Sequence, residues 1–227
     1  MNLGTLRSPE LSGRAPVLAV PLGATEQHGP HLPLDTDTTI ATELSRQLAK
    51  RVPGIVVAPP IPYGSSGEHA DFDGTLSIGQ HALRTVLIEL VRSADRFTGT
   101  VLVNGHGGNH HPLTDAVRQL RTEGRQVLAW SPTGPADDSH AGHTETSVML
   151  HLRPHHVALD RAVPGATAPL PELINRLRTD GVKAISPNGI LGDPTRATAA
   201  VGELAIERWT ADLTHAVSTW LAHPPAG

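Results

Sequence analysis

Val17-Leu18-Ala19-Val20-Pro21-Leu22 is an unbroken apolar run that opens into Gly23-Ala24-Thr25-Glu26-Gln27-His28-Gly29-Pro30-His31-Leu32-Pro33-Leu34-Asp35-Thr36-Asp37. A short apolar run closed by Gly and Pro reads as a buried strand. Beyond the polar loop, Ile40, Leu44 and Leu48 recur at helical spacing, which predicts a helix over Thr38 to Lys50. The same alternation repeats down the chain. Gly54 to Ala58, Thr100 to Val103 and Gln126 to Trp130 read as further strands. Helices are expected around Leu83, Leu87, Leu90 and Val91, from Pro112 to about Thr122, and over Thr144 to Leu152, Leu170 to Thr179 and Thr195 to Leu221. Ser77 and Gln80 have capping-box spacing ahead of the first of these, and Pro112 suits a first turn. Such alternation argues an α/β fold with a largely parallel central sheet flanked by helices. In such sheets ligands gather at the loops beyond the carboxyl ends of the strands.

The 227 residues read as a single domain over 1–227, with 1–15 and 223–227 expected to be flexible. There is no cysteine, which excludes disulfides, thiolate metal ligands and a cysteine nucleophile. A net charge of -4 with 18% charged residues argues against a nucleic-acid or anionic-membrane surface, and 3% aromatics are too few for base stacking. No apolar run approaches the ~20 residues of a spanning helix, and the start lacks the apolar stretch of a signal peptide. A cytoplasmic protein is the default expectation. Histidine is over-supplied: 14 residues, all but His215 and His223 lying between His28 and His156.

Three polar loops carry the chemistry. Glu26 and His28 are two apart, so extended backbone sends both side chains to one side; carboxylate plus imidazole suits a divalent metal. Asp37 follows where a helix should begin, placed either to cap it or to bridge two ions. Asn104-Gly105-His106-Gly107-Gly108-Asn109 follows a predicted strand, with glycines that allow close backbone approach. A phosphate loop is the rival, but its lysine is missing. His110 and His111 read as solvated residues at a helix start. His140-Ala141-Gly142-His143-Thr144-Glu145 leads into the third segment, where Glu145 is either a capping glutamate or a site residue. His151, His155 and His156 read as surface residues. Together, two carboxylates, a bridging aspartate and two histidines have the composition of a metal pair that activates water on an amide, with His140 to protonate the leaving nitrogen.

These motifs closely resemble the creatininase family of metal-dependent amidohydrolases, from at least Val17 to Leu152. The resemblance implies that Glu26 and His106 bind one metal, His28 the other and Asp37 both, and that His140 is catalytic. Creatininase itself has a metal-binding glutamate two residues beyond the histidine matched by His106. Gly108 stands there, and Glu145 is expected to supply the missing ligand and to share the catalytic role. Ala136 replaces a tryptophan that creatininase places four residues before its catalytic histidine, which disfavours creatinine as substrate. Gly64-Ser65-Ser66-Gly67-Glu68-His69, Leu76-Ser77-Ile78-Gly79 and Leu191-Gly192-Asp193-Pro194-Thr195 are most similar to a peptidase branch of the family, which removes a C-terminal Val-Tyr dipeptide from a modified precursor peptide. The resemblance further implies two divalent ions (Zn²⁺, Fe²⁺ or Mn²⁺) and a closed homo-oligomer, often a hexamer. Glu68, His69 and Asn109 are candidate substrate contacts, Asn104 and Asn109 candidate supports of the His106 loop, and His31 and His143 candidate supporting groups. The alternatives are another amidohydrolase, acting on a cyclic amide or a formamide, and a metal-retaining protein without catalysis.

Overall fold

Four parallel strands, β1 (Val17–Leu22), β2 (Ile55–Val57), β3 (Gly99–Asn104) and β4 (Val127–Trp130), form one sheet in the order β2-β1-β3-β4. This computed structural model describes residues 1–13 and 15–223. The helices are α1 (Thr36–Arg51), α2 (Gly79–Ser93), α3 (His110–Thr122), α4 (His143–Leu152), α5 (Leu170–Asp180) and α6 (Ala199–Ala222). Side chains alternate along β1. Val17 and Ala19 join Leu44 and Leu48 of α1, Val148 of α4 and Leu213 of α6. Leu18, Val20 and Leu22 join Leu83 and Leu87 of α2 and Leu113 and Leu120 of α3. Both faces of the sheet are covered, which is why its strands read as continuous apolar runs. A third, smaller cluster centres on Leu173 and Leu177 of α5 with Val182 and Leu191. Among the described residues no helix is long and apolar enough to cross a membrane.

The sheet order reverses between β1 and β3. From β1 the chain crosses to β2 on one side, and from β3 to β4 on the other. The loops leaving those two strands therefore part, opening a crevice at their carboxyl ends. The register puts Leu22 beside Asn104, so Glu26, four residues beyond one, and His106, two beyond the other, start from neighbouring points.

Several boundaries differ from the sequence expectation for identifiable reasons. Helix α1 begins at Thr36, two residues early, with Asp35 in the N-cap position and Asp37 inside the first turn. Ser77 forms no capping box: its hydroxyl accepts from Ser66 N (2.9 Å) and Gly79 N (3.2 Å), pinning the 64–69 loop instead. Asp193 caps a separate 3-10 turn at Pro194–Arg196, and Thr198 caps α6 by accepting from Val201 N. At the start of the chain, Val57 N donates to Met1 O (2.8 Å) and Leu3 packs on the core beside β2. Of the tail expected to be flexible, 224–227 fall outside the described residues.

Helix α1 lands directly on the ends of β1 and β3. A Cβ at Gly105 would lie 2.5 Å from Asp37 O, and one at Gly23 would lie 2.5 Å from Thr38 N and Cα. Only residues without a side chain admit this approach. Gly105→Ala should therefore cost about 1–3 kcal/mol of stability, a loss of roughly 2–10 °C in Tm for a chain of this size. Gly134→Ala, where a Cβ meets nothing within 4 Å, should leave Tm within about 1–2 °C of wild type. Thermal unfolding followed by circular dichroism distinguishes the two.

Candidate metal centre

The crevice collects the side chains singled out from the sequence. Glu26 and His28 from the loop after β1, Asp37 from the first turn of α1 and His106 from the loop after β3 are all buried, and Glu145 from the first turn of α4 is partly buried. Glu26 Oε2 lies 3.1 Å from His106 Nε2, and Asp37 Oδ2 lies 3.4 Å from His106 Nδ1. On the other side of Asp37, Oδ1 is 3.1 Å from His28 Nε2, which is 3.9 Å from Glu145 Oε2. Two donor trios result, Glu26–Asp37–His106 and His28–Asp37–Glu145, each with its ligand atoms within 4.8 Å of one another. Asp37 belongs to both. A third trio joins Glu26 and His28 to His140. Because Asp35 takes the N-cap position, the Asp37 carboxylate is not spent on capping.

Both carboxylate oxygens of Glu26, together with Asp37 Oδ2, are buried and accept no hydrogen bond from the described residues. A buried carboxylate without donors is costly unless a cation compensates it. The titration pattern has the same origin. Burial pushes the Glu26 carboxyl up to about 8 and that of Glu145 up to about 7. For His28, burial opposes protonation, but Asp37, Glu145 and Glu26 outweigh it and raise the imidazole to about 10. His106 is raised in the same way by Glu26, Asp37 and Glu68 against its burial. The pocket pulls positive charge into itself. Its donors are carboxylates and imidazoles without thiolate, a set that fits Mn²⁺, Zn²⁺ or Fe²⁺.

A supporting shell fixes these groups. His140 pairs backbone to backbone with Leu191 and donates from Nε2 to Gln27 O (2.9 Å), leaving Nδ1 facing Glu26 Oε1 at 3.7 Å. Burial and the neighbouring His28 and His69 hold this imidazole well below its ordinary pKa, so it is neutral. Ala141, with φ +53°, is the only non-glycine with positive φ among the described residues. Holding that conformation costs about 1–2 kcal/mol. It turns the Ala141 N–H onto Glu145 Oε2 (2.6 Å), which holds the carboxylate facing His28. Gln27, which sequence reasoning passed over, is the hub: its amide donates to His69 Nδ1 (2.8 Å) and Gly189 O (2.9 Å) while accepting from Gly29 N (2.8 Å). That tautomer leaves the Nε2–H of His69 facing Glu26 Oε1 at 3.3 Å. The sequence signal was alternation: Gln27 lies between Glu26 and His28, so extended backbone aims it the opposite way.

The remaining candidates sort by position. Glu68 lines the cavity over the cluster, with Oε1 3.7 Å from His106 Nε2. Gly108 leaves room for it. A Cβ there would collide with Glu68 Oε1 and stand 2.5 Å from His106 Nε2. Asn109, expected among the substrate contacts, is fully buried: it donates to Gly23 O and Asn104 Oδ1 and accepts from Ser65 N. Asn104 in turn donates to His106 O (2.8 Å), so the two amides brace the His106 loop. His31 bonds Thr146 Oγ1 (2.8 Å) and ties the first loop to α4. His143 turns toward Arg196 O (3.2 Å). His110, His111, His151, His155 and His156 are exposed. His69, Glu68, His106 and His140 border a cavity of about 900 Å³.

Comparisons with known proteins point to one family. The creatininase family model (creatinine amidohydrolase) matches residues 5–217. The mycofactocin precursor peptide peptidase of Mycobacterium ulcerans (strain Agy99) is 52% identical over 236 residues, covering 98% of this chain and 93% of the relative. The creatinine amidohydrolase of Pseudomonas putida is 33% identical over 224 residues, covering 84% of each. A crystal structure of creatinine amidohydrolase superposes with a TM-score of 0.79 at 29% identity, covering 99% of this chain and 98% of that one. Other creatininase structures of the same fold are described as Mn and Zn-Zn forms. Stripping the protein with a chelator and restoring Mn²⁺ or Zn²⁺ at a thousandfold excess over Kd should add about 4 kcal/mol of stability. Asp37→Ala should lose most of that thermal shift and most of the bound metal by elemental analysis.

Proposed function

This chain belongs to the creatininase family of metal-dependent hydrolases, and from that premise we propose that it releases the C-terminal Val-Tyr dipeptide from the modified mycofactocin precursor peptide. One observation carries the hydrolytic part: Asp37 is shared by two carboxylate–imidazole trios, and His106 of one of them borders, with His140, a cavity of about 900 Å³ that is large enough for several residues of peptide. The substrate assignment follows the peptidase relatives and the loops over 64–69, 76–79 and 191–195. We assign Glu26, Asp37 and His106 to one divalent ion and His28, Asp37 and Glu145 to a second. Bound there, such a pair supplies a water of lowered pKa as nucleophile and Lewis-acid polarisation of the scissile carbonyl.

The chain's own groups do the rest. His140, neutral and anchored through Nε2 on Gln27 O, presents a free Nδ1 toward the cluster. It takes a proton from the attacking water at Nδ1 and passes it to the amide nitrogen as the C–N bond breaks. Gln27 and Leu191 hold its ring and backbone through that exchange. Glu145, fixed by Ala141 N, keeps its carboxylate on His28. His69 steadies Glu26 from the cavity side, and Glu68 borders the space in which the peptide lies. We further assign the protein to the cytoplasm and to a closed homo-oligomer, in keeping with its family.

Metal-replete enzyme incubated with the modified precursor should release Val-Tyr, detected by mass spectrometry. His140→Ala should lower kcat by about 10²–10⁴ while retaining its metal. Absence of Val-Tyr from fully metal-loaded enzyme, with turnover of a cyclic amide or formamide instead, overturns the peptidase assignment.

A further inference from the structure

Two imidazoles, His69 and His140, stand side by side over Glu26, with ring centroids 4.5 Å apart, and both border the cavity. His69 Nε2 lies 3.3 Å and His140 Nδ1 lies 3.7 Å from the same atom, Glu26 Oε1. The proton exchange employs only His140, yet both rings are firmly held. His69 is buried, and its loop is fixed from three other segments: Ser66 N donates to Ser77 Oγ, Ser65 N donates to Asn109 Oδ1, and Glu68 O accepts from Val182 N.

Gln27 determines which nitrogen of each ring carries the proton. Gly29 N donates to Gln27 Oε1 (2.8 Å), which fixes the orientation of the amide, and one of the two amide protons goes to Gly189 O (2.9 Å). A carbonyl only accepts, so His140 Nε2, 2.9 Å from Gln27 O, carries a proton and its Nδ1 is free. His140 Nε2 therefore does not accept from the Gln27 amide nitrogen, although it lies 3.1 Å away. The second amide proton goes to His69 Nδ1 (2.8 Å), which leaves the His69 proton on Nε2. One glutamine thus holds two rings of the same tautomer in opposite orientations. His140 turns a lone pair toward Glu26 and His69 turns an N–H. That N–H is not consumed there, since Glu26 Oε1 accepts no hydrogen bond from the described residues.

We propose that His69 is a second catalytic residue, whose Nε2–H donates to the scissile carbonyl oxygen as that oxygen becomes an oxyanion. The water oxygen bonds to the carbonyl carbon, its proton passes to His140 Nδ1, and the carbonyl π pair moves onto the oxygen facing His69. When that pair returns, the C–N bond breaks and the amide nitrogen takes the proton from His140. A pre-oriented donor favours the transition state because its hydrogen bond strengthens as the charge develops. The assignment rests on the hydrolytic reading and deepens it, whichever amide is cut.

Asparagine and glutamine at position 69 separate the two ring nitrogens. Asparagine still offers an acceptor to the Gln27 amide but no donor at the place of Nε2, whereas the glutamine amide nitrogen reaches that place. With metal-replete enzyme and the modified precursor, His69→Asn should lower kcat by about 10²–10³ with KM within about threefold. His69→Gln should recover about tenfold of that loss. Both variants should match wild type in bound metal by elemental analysis and in metal affinity by chelator competition. An undiminished kcat in His69→Asn, or a loss that follows weakened metal binding, overturns the proposal. If a cyclic amide or a formamide is cut in place of the precursor, the variants are compared on it: a fall in kcat there keeps the donor and removes the peptidase reading. Wild type alone supplies a further test. In its zinc form, ¹⁵N NMR should find His69 protonated at Nε2 and not at Nδ1, and the reverse overturns the proposal.

Discussion

Asp37 is the constraint on which the site depends. Its carboxylate stands between His28 and His106, which come from loops on opposite sides of a topological reversal in the sheet. It can stand there only because α1 begins on top of the β1 and β3 ends, at a separation that Gly23 and Gly105 permit. Backbone packing thus sets the position of this carboxylate. The charge in turn gives the packing a cost, since Asp37 Oδ2 accepts no hydrogen bond from the described residues and such a buried oxygen destabilises a fold until a cation compensates it. Stability and chemistry are coupled at one residue.

Around that point the protein spends its polar side chains on orientation. Gln27 holds the rings of His69 and His140 toward Glu26, Asn104 and Asn109 brace the His106 loop, and Thr146 holds His31. The strained backbone at Ala141 belongs to the same arrangement, because it brings His140 and Glu145 to bear on neighbouring parts of the cluster. Gln27, His69, His140, Asn104, Asn109 and Thr146 are buried and hydrogen-bonded, and His31 is buried with Nδ1 unpartnered among the described residues, so most of the shell that holds the cluster is satisfied.

Much of this was legible in the sequence. The four strands were visible because both faces of the sheet are covered and each strand is apolar throughout; Val17 to Leu22 is the clearest case. Glu26, His28, Asp37, His106 and Glu145 stood out because acids and imidazoles followed strand ends or opened helices. What stayed hidden depended on contacts between distant segments. Ser77 looked like a helix cap, yet Ser66 N, eleven residues away in sequence, claims its hydroxyl. Thr38 looked like the start of α1 because its apolar periodicity begins at Ile40, and periodicity carries no information on a polar first turn. Asn109 read as either a support of the His106 loop or a substrate contact, and only the return of the chain at Gly23 and Ser65, which buries it, distinguishes the two. The wall that α5 gives the cavity had no motif at all; only the fold puts Leu170, Ile174 and Leu177 there.

The empty place at Gly108 has an evolutionary consequence. A Cβ at 108 would meet the Glu68 carboxylate, Ser65 O and His106 Nε2 together, so the 64–69 loop occupies the space beside His106 that a side chain at 108 would need. An acid arriving at 108 in this background would meet one already there, and removing Glu68 first would leave His106 without its carboxylate neighbour on the cavity side. A carboxylate at 108 therefore requires the 64–69 backbone to shift as well as Glu68 to leave, since Ser65 O stands in the same space. Within this fold the conformation of the 64–69 loop thus limits which residues position 108 admits.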